Sequence, residues 1–380
     1  MNWSPSSRVV FCFATYITVG CTQEGPSPLV VPRPASSSAV TAQLDETMDT
    51  SRTLPLGVPP RGTLYHSVFP GSASDPGSED AIVRSDVDAY ETAVGHRVAW
   101  VYFSHEWAHG EAFPLRTSAW IRDRGSIPFI RLMMRSVAET GRTTRESKYT
   151  VVSIIAGKHD AALAAWGRAA AAFATPILAE WGTEMNGEWF PWNASHNGKE
   201  SGAERFRQAY VHIINLVRTQ GAKNVLWVFH INGDDQPASS WNRFEGYYPG
   251  DDAIDWLGIS AYGAQSVGGP CADFATYVDP AVARLEAMAR SKPVFVLEFG
   301  TTKRARRCVP SAAAWTERAL DALVSGRWPS VRGFSWWNEQ WDNDDAREPT
   351  DMRVQDEAAF ANAFRRALSR GRTVDRPLLR

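Results

Sequence analysis

The sequence predicts an α/β chain folded as a single (β/α)8 barrel, and three observations carry that prediction. Eight short apolar runs alternate with helix-like stretches from residue 57 to about residue 370. The runs are rich in Val, Ile and aromatic residues, as parallel strands buried on both faces are. No Gly-x-Gly-x-x-Gly follows the first run, which counts against an open dinucleotide-binding sheet.

The elements follow in order. Leu64–Phe69 is the first strand, and Ser85 reads as the N-cap of the first helix. The runs 97–103 and 127–132 are strands two and three. His159–Phe173 is an Ala-rich helix with apolar residues at helical spacing. The run 176–181 is strand four, and the helix 203–220 stops at Gly221. Strands five and six are 225–229 and 254–260, and a helix over 280–290 leads to strand seven at 293–298. A helix over 312–323, strand eight at 331–336 and a helix over 356–368 complete the pattern. Strand–helix alternation of this length means a parallel sheet with crossover helices, and eight strands favour closure.

The ends of the chain read differently. Arg8 precedes an apolar run, Val9–Val19, that is short for a membrane span. It ends in Thr18-Val19-Gly20-Cys21, which is similar to a bacterial lipoprotein cleavage site with Cys21 as the lipidated residue. Residues 1–21 are therefore expected to be a signal peptide, with plain secretion as the alternative. Residues 22–56, rich in Pro, Ser and Thr, read as a tether. The folded domain is expected over 57–372, with 373–380 as a tail. Cys271 and Cys308 are an even pair in an exported protein and are expected to form a disulfide.

Composition narrows the partners. Lys+Arg of 40 against Asp+Glu of 42 gives a net charge of −2, so nothing favours nucleic acid. The expected form is a monomer whose membrane contact is the lipid anchor alone. No His/Cys cluster suits zinc or iron. The run Trp341-Asp342-Asn343-Asp344-Asp345 lacks the Gly and distal Glu of a calcium loop and reads as a solvated loop. No metal and no cofactor are expected.

Two of the strand-end residues carry the chemistry. Glu184 follows strand four within Glu184-Met185-Asn186-Gly187-Glu188-Trp189-Phe190-Pro191-Trp192, and Glu298 ends strand seven. Barrel active sites lie at that end. A pair of carboxylates there, among aromatics, is the equipment for cleaving a glycosidic bond. One of them is the candidate proton donor and the other the candidate nucleophile or base. The sixteen Trp include several at the same strand ends, where a flat ring suits a sugar face. Trp107, Trp189, Trp192, Trp336 and Trp337 are expected to face substrate, with Asn186, His230 and Tyr262. Each has a plainer reading. His230 is otherwise a satisfied rim histidine, and Glu298 a partner for Arg131. By strand alternation Glu180 points into the barrel, where it needs a cation such as Arg131.

The segment 184–192 resembles glycoside hydrolase family 26, and Val296-Leu297-Glu298-Phe299-Gly300 and Ser260-Ala261-Tyr262-Gly263 are similar to its later motifs. The resemblance covers about residues 57 to 370. It implies a retaining glycosidase acting on β-mannan, mixed-linkage β-glucan or β-xylan, with Glu184 as the acid/base of raised pKa, Glu298 as the ionised nucleophile and Tyr262 beside it. Two positions depart from the family's mannanases: Thr183 stands where they usually carry His, and Glu180 where they usually carry Arg. Both bear on how the sugar 2-position is read. The expected activity is therefore an endo-β-glycanase on β-mannan or mixed-linkage β-glucan. A polysaccharide-binding surface protein without catalysis, or a β-xylanase of the same family, is the alternative. A metal-dependent deacetylase is disfavoured by the missing His/Asp set.

Overall fold

The eight apolar runs pair in chain order in the computed structural model, which describes residues 55–138, 145–342 and 348–379. They are β1 (Leu64–Phe69), β2 (Trp100–Glu106), β3 (Ile127–Met133), β4 (Ile177–Trp181), β5 (Val225–Asn232), β6 (Trp256–Tyr262), β7 (Val294–Gly300) and β8 (Val331–Trp337). Neighbours are parallel, and β1 also pairs with β8 from Tyr65↔Gly333 to Phe69↔Trp337. The sheet is therefore a closed barrel. Strands β1 to β4 and β7 are buried along their whole length, which is why they read as apolar runs rather than alternating ones.

The crossover helices are α1 (Arg84–Val94), α2 (Leu115–Asp123), α3 (Val151–Ile155), α4 (Asp160–Phe173), α5 (Gly202–Thr219), α6 (Phe274–Met288), α7 (Ala312–Ser325) and α8 (Ala358–Leu368). Four differ from the expectation, the short α3 having no counterpart in it. Ser85 does not cap α1; the Asp86 carboxylate instead accepts from the Val83 N–H at 2.8 Å. Helix α6 starts before Pro280 and runs through it, because Phe274, Val278, Ala281, Val282 and Leu285 form one buried stripe. Helix α2 went unread because it buries only Ser118 and Ile121. Between β5 and β6 the connection holds two 3₁₀ turns, Ser240–Asn242 and Phe244–Tyr247. Arg284 of α6 braces that loop through Asp235 and Glu245 at 2.8 and 2.7 Å.

After β8 the chain makes an antiparallel ribbon, β9 (Gln340–Trp341) with β10 (Thr350–Asp351). The C-terminal segment set apart as a tail is part of the domain. Strand β11 (Thr373–Val374) pairs with β1, and the Tyr65 hydroxyl accepts from the Leu378 N–H and donates to the Gly57 carbonyl. The expected signal peptide, Cys21 and the expected tether up to residue 54 lie outside the described residues, as do residues 343–345 of the acidic run. Among the described residues no helix is long and apolar enough to cross a membrane.

The barrel interior is layered. Tyr65, Trp100, Trp256 and Phe295 plug the lower part, with Trp256 and Phe295 stacked 4.0 Å apart. Phe69, Tyr102, Phe129 and Trp337 lie next, linked ring to ring. Arg131, Glu180 and Glu298 form a charged set of side chains at the strand ends. Inward-facing residues alternate along each strand, so Phe129 and Arg131, and likewise Leu178 and Glu180, occupy successive layers.

Candidate active site

Glu184 is presented by a strained turn. After β4 the chain bends, and Glu184 takes a left-handed backbone with φ 50°. Such a conformation in a non-glycine residue costs of order 1–3 kcal/mol and persists where the surroundings enforce it. Its N–H donates to the His230 carbonyl at 2.8 Å, tying the turn to β5. The Trp189 indole N–H donates to Glu184 Oε2 at 2.7 Å. Gly187 makes this possible: a Cβ there would lie 2.2 Å from the Trp189 ring.

A β-bulge presents Glu298. Ile259 pairs with Val296 but Ser260 pairs with Glu298, so Leu297 is the extra residue on β7. Without that shift, Phe295 and Glu298 would point to opposite faces. Gly258 on β6 leaves the room, since a Cβ there would fall 2.3 Å from Leu297. The Tyr262 hydroxyl donates to Glu298 Oε2 at 2.7 Å, and the Arg131 guanidinium holds Oε1.

Arg131 is the hub. It also meets Glu79 at 3.0 Å and Glu180 at 3.3 Å. Glu180 in turn accepts from Tyr102 and pairs with His230 at 3.0 Å. His230 Nε2 faces the Ser260 hydroxyl at 2.9 Å, and its Nδ1 lies 3.1 Å from the Thr183 hydroxyl. Burial would push the Glu180 carboxyl up, but His230 and Arg131 bring it below the usual range. Burial would lower His230, and Glu180 reverses that and raises it. Glu298 goes the other way. Burial pushes its carboxyl up to about 7, against the pull of Arg131, and Glu184 adds to the rise. The ionised Glu298 expected from sequence is thus a carboxyl whose desolvation outweighs its cation.

Both carboxylates line one cleft of about 650 Å³. One bank comes from the loops after β4, β5 and β6, with Trp189, Asp234, Gln236 and Tyr262. The other comes from the loops after β1 and β8, with Glu79, Trp337, Glu339 and Trp341. Among the described residues no cluster of His, Cys, Asp or Glu is arranged to hold a metal.

The sequence profile of glycosyl hydrolase family 26 matches residues 147–293, which include Glu184. Over that stretch, from α3 to α6, the chain is similar to glycosyl hydrolase family 26. The chain is 26% identical over 227 residues to endoglucanase H of Acetivibrio thermocellus, covering 59% of the chain and 23% of that protein. It is 23% identical over 212 residues to a β-1,3-xylanase of a Vibrio species, covering 51% and 42%. It is 26% identical over 164 residues to a mannan endo-1,4-β-mannosidase of Bacillus subtilis, covering 41% and 38%. The chain thus spans less than half the length of these relatives. In fold it is similar to a β-mannanase of Bacteroides ovatus, with TM-score 0.55, 16% identity, and 86% and 91% of the two chains covered.

The barrel sorts the expected site residues into two groups. Glu184, Glu298, Trp189, Tyr262 and Trp337 line the cleft. Trp107, Trp192, Trp336, Asn186 and His230 do not, and their assignment as substrate contacts is corrected. Trp107 is buried edge-on against Tyr149. Trp192 stacks on Phe190 and donates to the Thr183 carbonyl; Trp336 donates to the Met352 carbonyl. Asn186 spends its amide on the Asn232 and Asp234 carbonyls and the Asp235 carboxylate, fixing the loop after β5. His230 lies beneath the cleft floor, bound to Glu180 and Ser260. Arg131, read from sequence only as a neutralising partner, sits in the cleft and touches the nucleophile candidate. Glu339 and Trp341 escaped notice because their segment looked like a polar loop. Cys271 and Cys308 are joined by a disulfide with a Cα separation of 5.1 Å.

Proposed function

We propose that this chain is an exported, retaining endo-β-glycanase acting on a β-1,4-linked backbone, β-mannan or mixed-linkage β-glucan. The observation that carries the reading is the pair Glu184 and Glu298 in one cleft, each held by an aromatic donor, Trp189 and Tyr262. Glu298 attacks the anomeric carbon while Glu184 protonates the departing oxygen. Water then cleaves the glycosyl-enzyme, with Glu184 as base. The chemistry calls for no cofactor. Arg131 and Tyr262 aim Glu298 and favour its anion, and Trp189 fixes the Glu184 carboxyl.

Substrate choice rests on the cleft floor. Thr183 turns its hydroxyl to His230 rather than into the cleft, and Glu180 is covered by Arg131. A guanidinium therefore still stands in the cleft floor beside Glu298, which keeps mannan within the substrate class. The relative named a β-1,3-xylanase keeps β-xylan as the second reading.

Product analysis on mannan, mixed-linkage glucan and xylan, with the product anomers followed by NMR, tests this. Retained configuration with internal cleavage of one of the first two is the expected result. Inverted products, no cleavage, or near-wild-type activity in Glu298→Gln refute the assignment. Export as a monomer anchored through Cys21 is tested by fractionation: Cys21→Ser should move the chain from membranes to the soluble exported fraction. An unchanged distribution argues for secretion without lipid.

A further inference from the structure

One buried residue touches the supports of both cleft carboxylates without lining the cleft. His230 lies near the upper end of β5, with its side chain fully buried. Its carbonyl accepts the Glu184 N–H at 2.8 Å and so holds the strained turn. Its ring reaches Glu298 indirectly, through Glu180 and Arg131. Nδ1 lies 3.0 Å from Glu180 Oε2 and 3.1 Å from the Thr183 hydroxyl, and Nε2 lies 2.9 Å from the Ser260 hydroxyl. Ser260 is the residue paired with Glu298 across the β7 bulge.

The charges here do not balance on Arg131 alone. Its guanidinium is divided among three carboxylates, with Nη1 on Glu79 at 3.0 Å, Nη2 on Glu298, and Nε 3.3 Å from Glu180 Oε1. That Nε is nearer the Tyr102 hydroxyl, at 3.0 Å, and the hydroxyl donates onward to Glu180. Among the described residues, Arg131 and His230 are the only cations paired with Glu180. A fully buried carboxylate needs a counter-charge. The polar groups facing His230 are Glu180 of β4, Thr183 and Glu184 of the turn after it, Ser260 of β6 and Glu298 of β7. The charged ones are all carboxylates, so they favour the imidazolium, and the ring is raised above its ordinary value. A neutral ring would leave Glu180 competing with Glu298 for one guanidinium.

We propose that His230 is a positioning residue: as an imidazolium it neutralises Glu180 and thereby keeps the Arg131 guanidinium on Glu298. This rests on the glycanase reading above. The test is kcat/KM from pH 6 to 9 for His230→Asn, which keeps a donor near Nδ1 but carries no charge. The acid limb, which follows ionisation of Glu298, should move up by about one to two pH units. From a start near 7, the loss is roughly 10- to 100-fold at pH 6 and about twofold or less at pH 9. Adding Glu180→Gln removes the competing charge and should return the limb to within about half a unit of the wild type. A loss that does not vary with pH, or a limb still displaced in the double variant, overturns the role. Two NMR signals read the same device without turnover. At pH 7 both ring nitrogens of wild-type His230 should be protonated, which needs no variant. The Glu298 carboxyl should titrate higher in His230→Asn and return in the double variant. If the wild type cleaves no polysaccharide, the glycanase reading fails, and these signals still decide the role of His230. A neutral ring at pH 7, or a Glu298 carboxyl that does not move, overturns it.

Discussion

Removing the Tyr262 hydroxyl probes how Glu298, the proposed nucleophile, is kept ionised. That hydroxyl donates to Glu298 Oε2 at 2.7 Å. A hydrogen bond to a charged group contributes roughly 1.5–3 kcal/mol. One pKa unit corresponds to about 1.4 kcal/mol, so Tyr262→Phe should raise the Glu298 carboxyl by about one to two units. Its starting value is about 7, which moves it to roughly 8–9. The nucleophile works as the anion, so activity rises with pH through this value. At pH 7 the ionised fraction drops from about a half to between about a tenth and a hundredth, and kcat/KM falls about 5- to 50-fold. At pH 9 the same effect shrinks to about twofold or less. The assay is kcat/KM of both proteins from pH 6 to 9 on whichever polysaccharide the wild type cleaves. A variant-to-wild-type ratio that stays flat across that range refutes the reasoning, because the hydroxyl then does not act through the charge of Glu298.

Glu184→Gln should lower turnover of polysaccharide by roughly 10²–10⁴-fold while sparing an aryl glycoside whose leaving group needs no proton; equal losses on both would remove Glu184 as the acid. Replacing Cys271 and Cys308 by Ser opens a 37-residue loop and should cost about 4 kcal/mol in urea unfolding. Unchanged stability would show that the crosslink constrains little. Glu106 is buried with neither carboxylate oxygen hydrogen-bonded among the described residues, and burial, then Glu79 and Asp80, push it up to about 8 from 4.5. The folded state thus holds a proton that the unfolded state releases, and stability falls as pH rises between about 4.5 and 8. Glu106→Gln should flatten that fall and stabilise the chain at pH 8 by on the order of a few kcal/mol; an unaltered slope between pH 5 and 8 counts against it.

The barrel was legible because its signals are local. A strand buried on both faces must be apolar over its own length, so β1 to β8 announced themselves within a few residues of their ends. Glu184 and Glu298 followed, since barrel strand ends are where charges are tolerated and used. The partnership of Glu180 with Arg131 came from strand parity alone, and the register confirms it. What a Trp faces is a different kind of question. Trp107, Trp192 and Trp336 sit beside polar residues in sequence but pack inward, while Trp341, in an acidic run, lines the cleft. Sequence neighbours do not decide which wall a ring meets; the helices and loops that cover it do. The bulge at Leu297 is equally silent in sequence, and it is what turns Glu298 into the barrel. Arg131 reaches Glu79, Glu180 and Glu298 from three other parts of the chain, and the charge state of Glu298 depends on that meeting. The sequence by itself determined the strands, their order and the two carboxylates, because each is written in a few adjacent residues. Only the tertiary structure decided which side chains converge on those carboxylates and how far burial shifts them, because convergence and desolvation belong to the closed barrel.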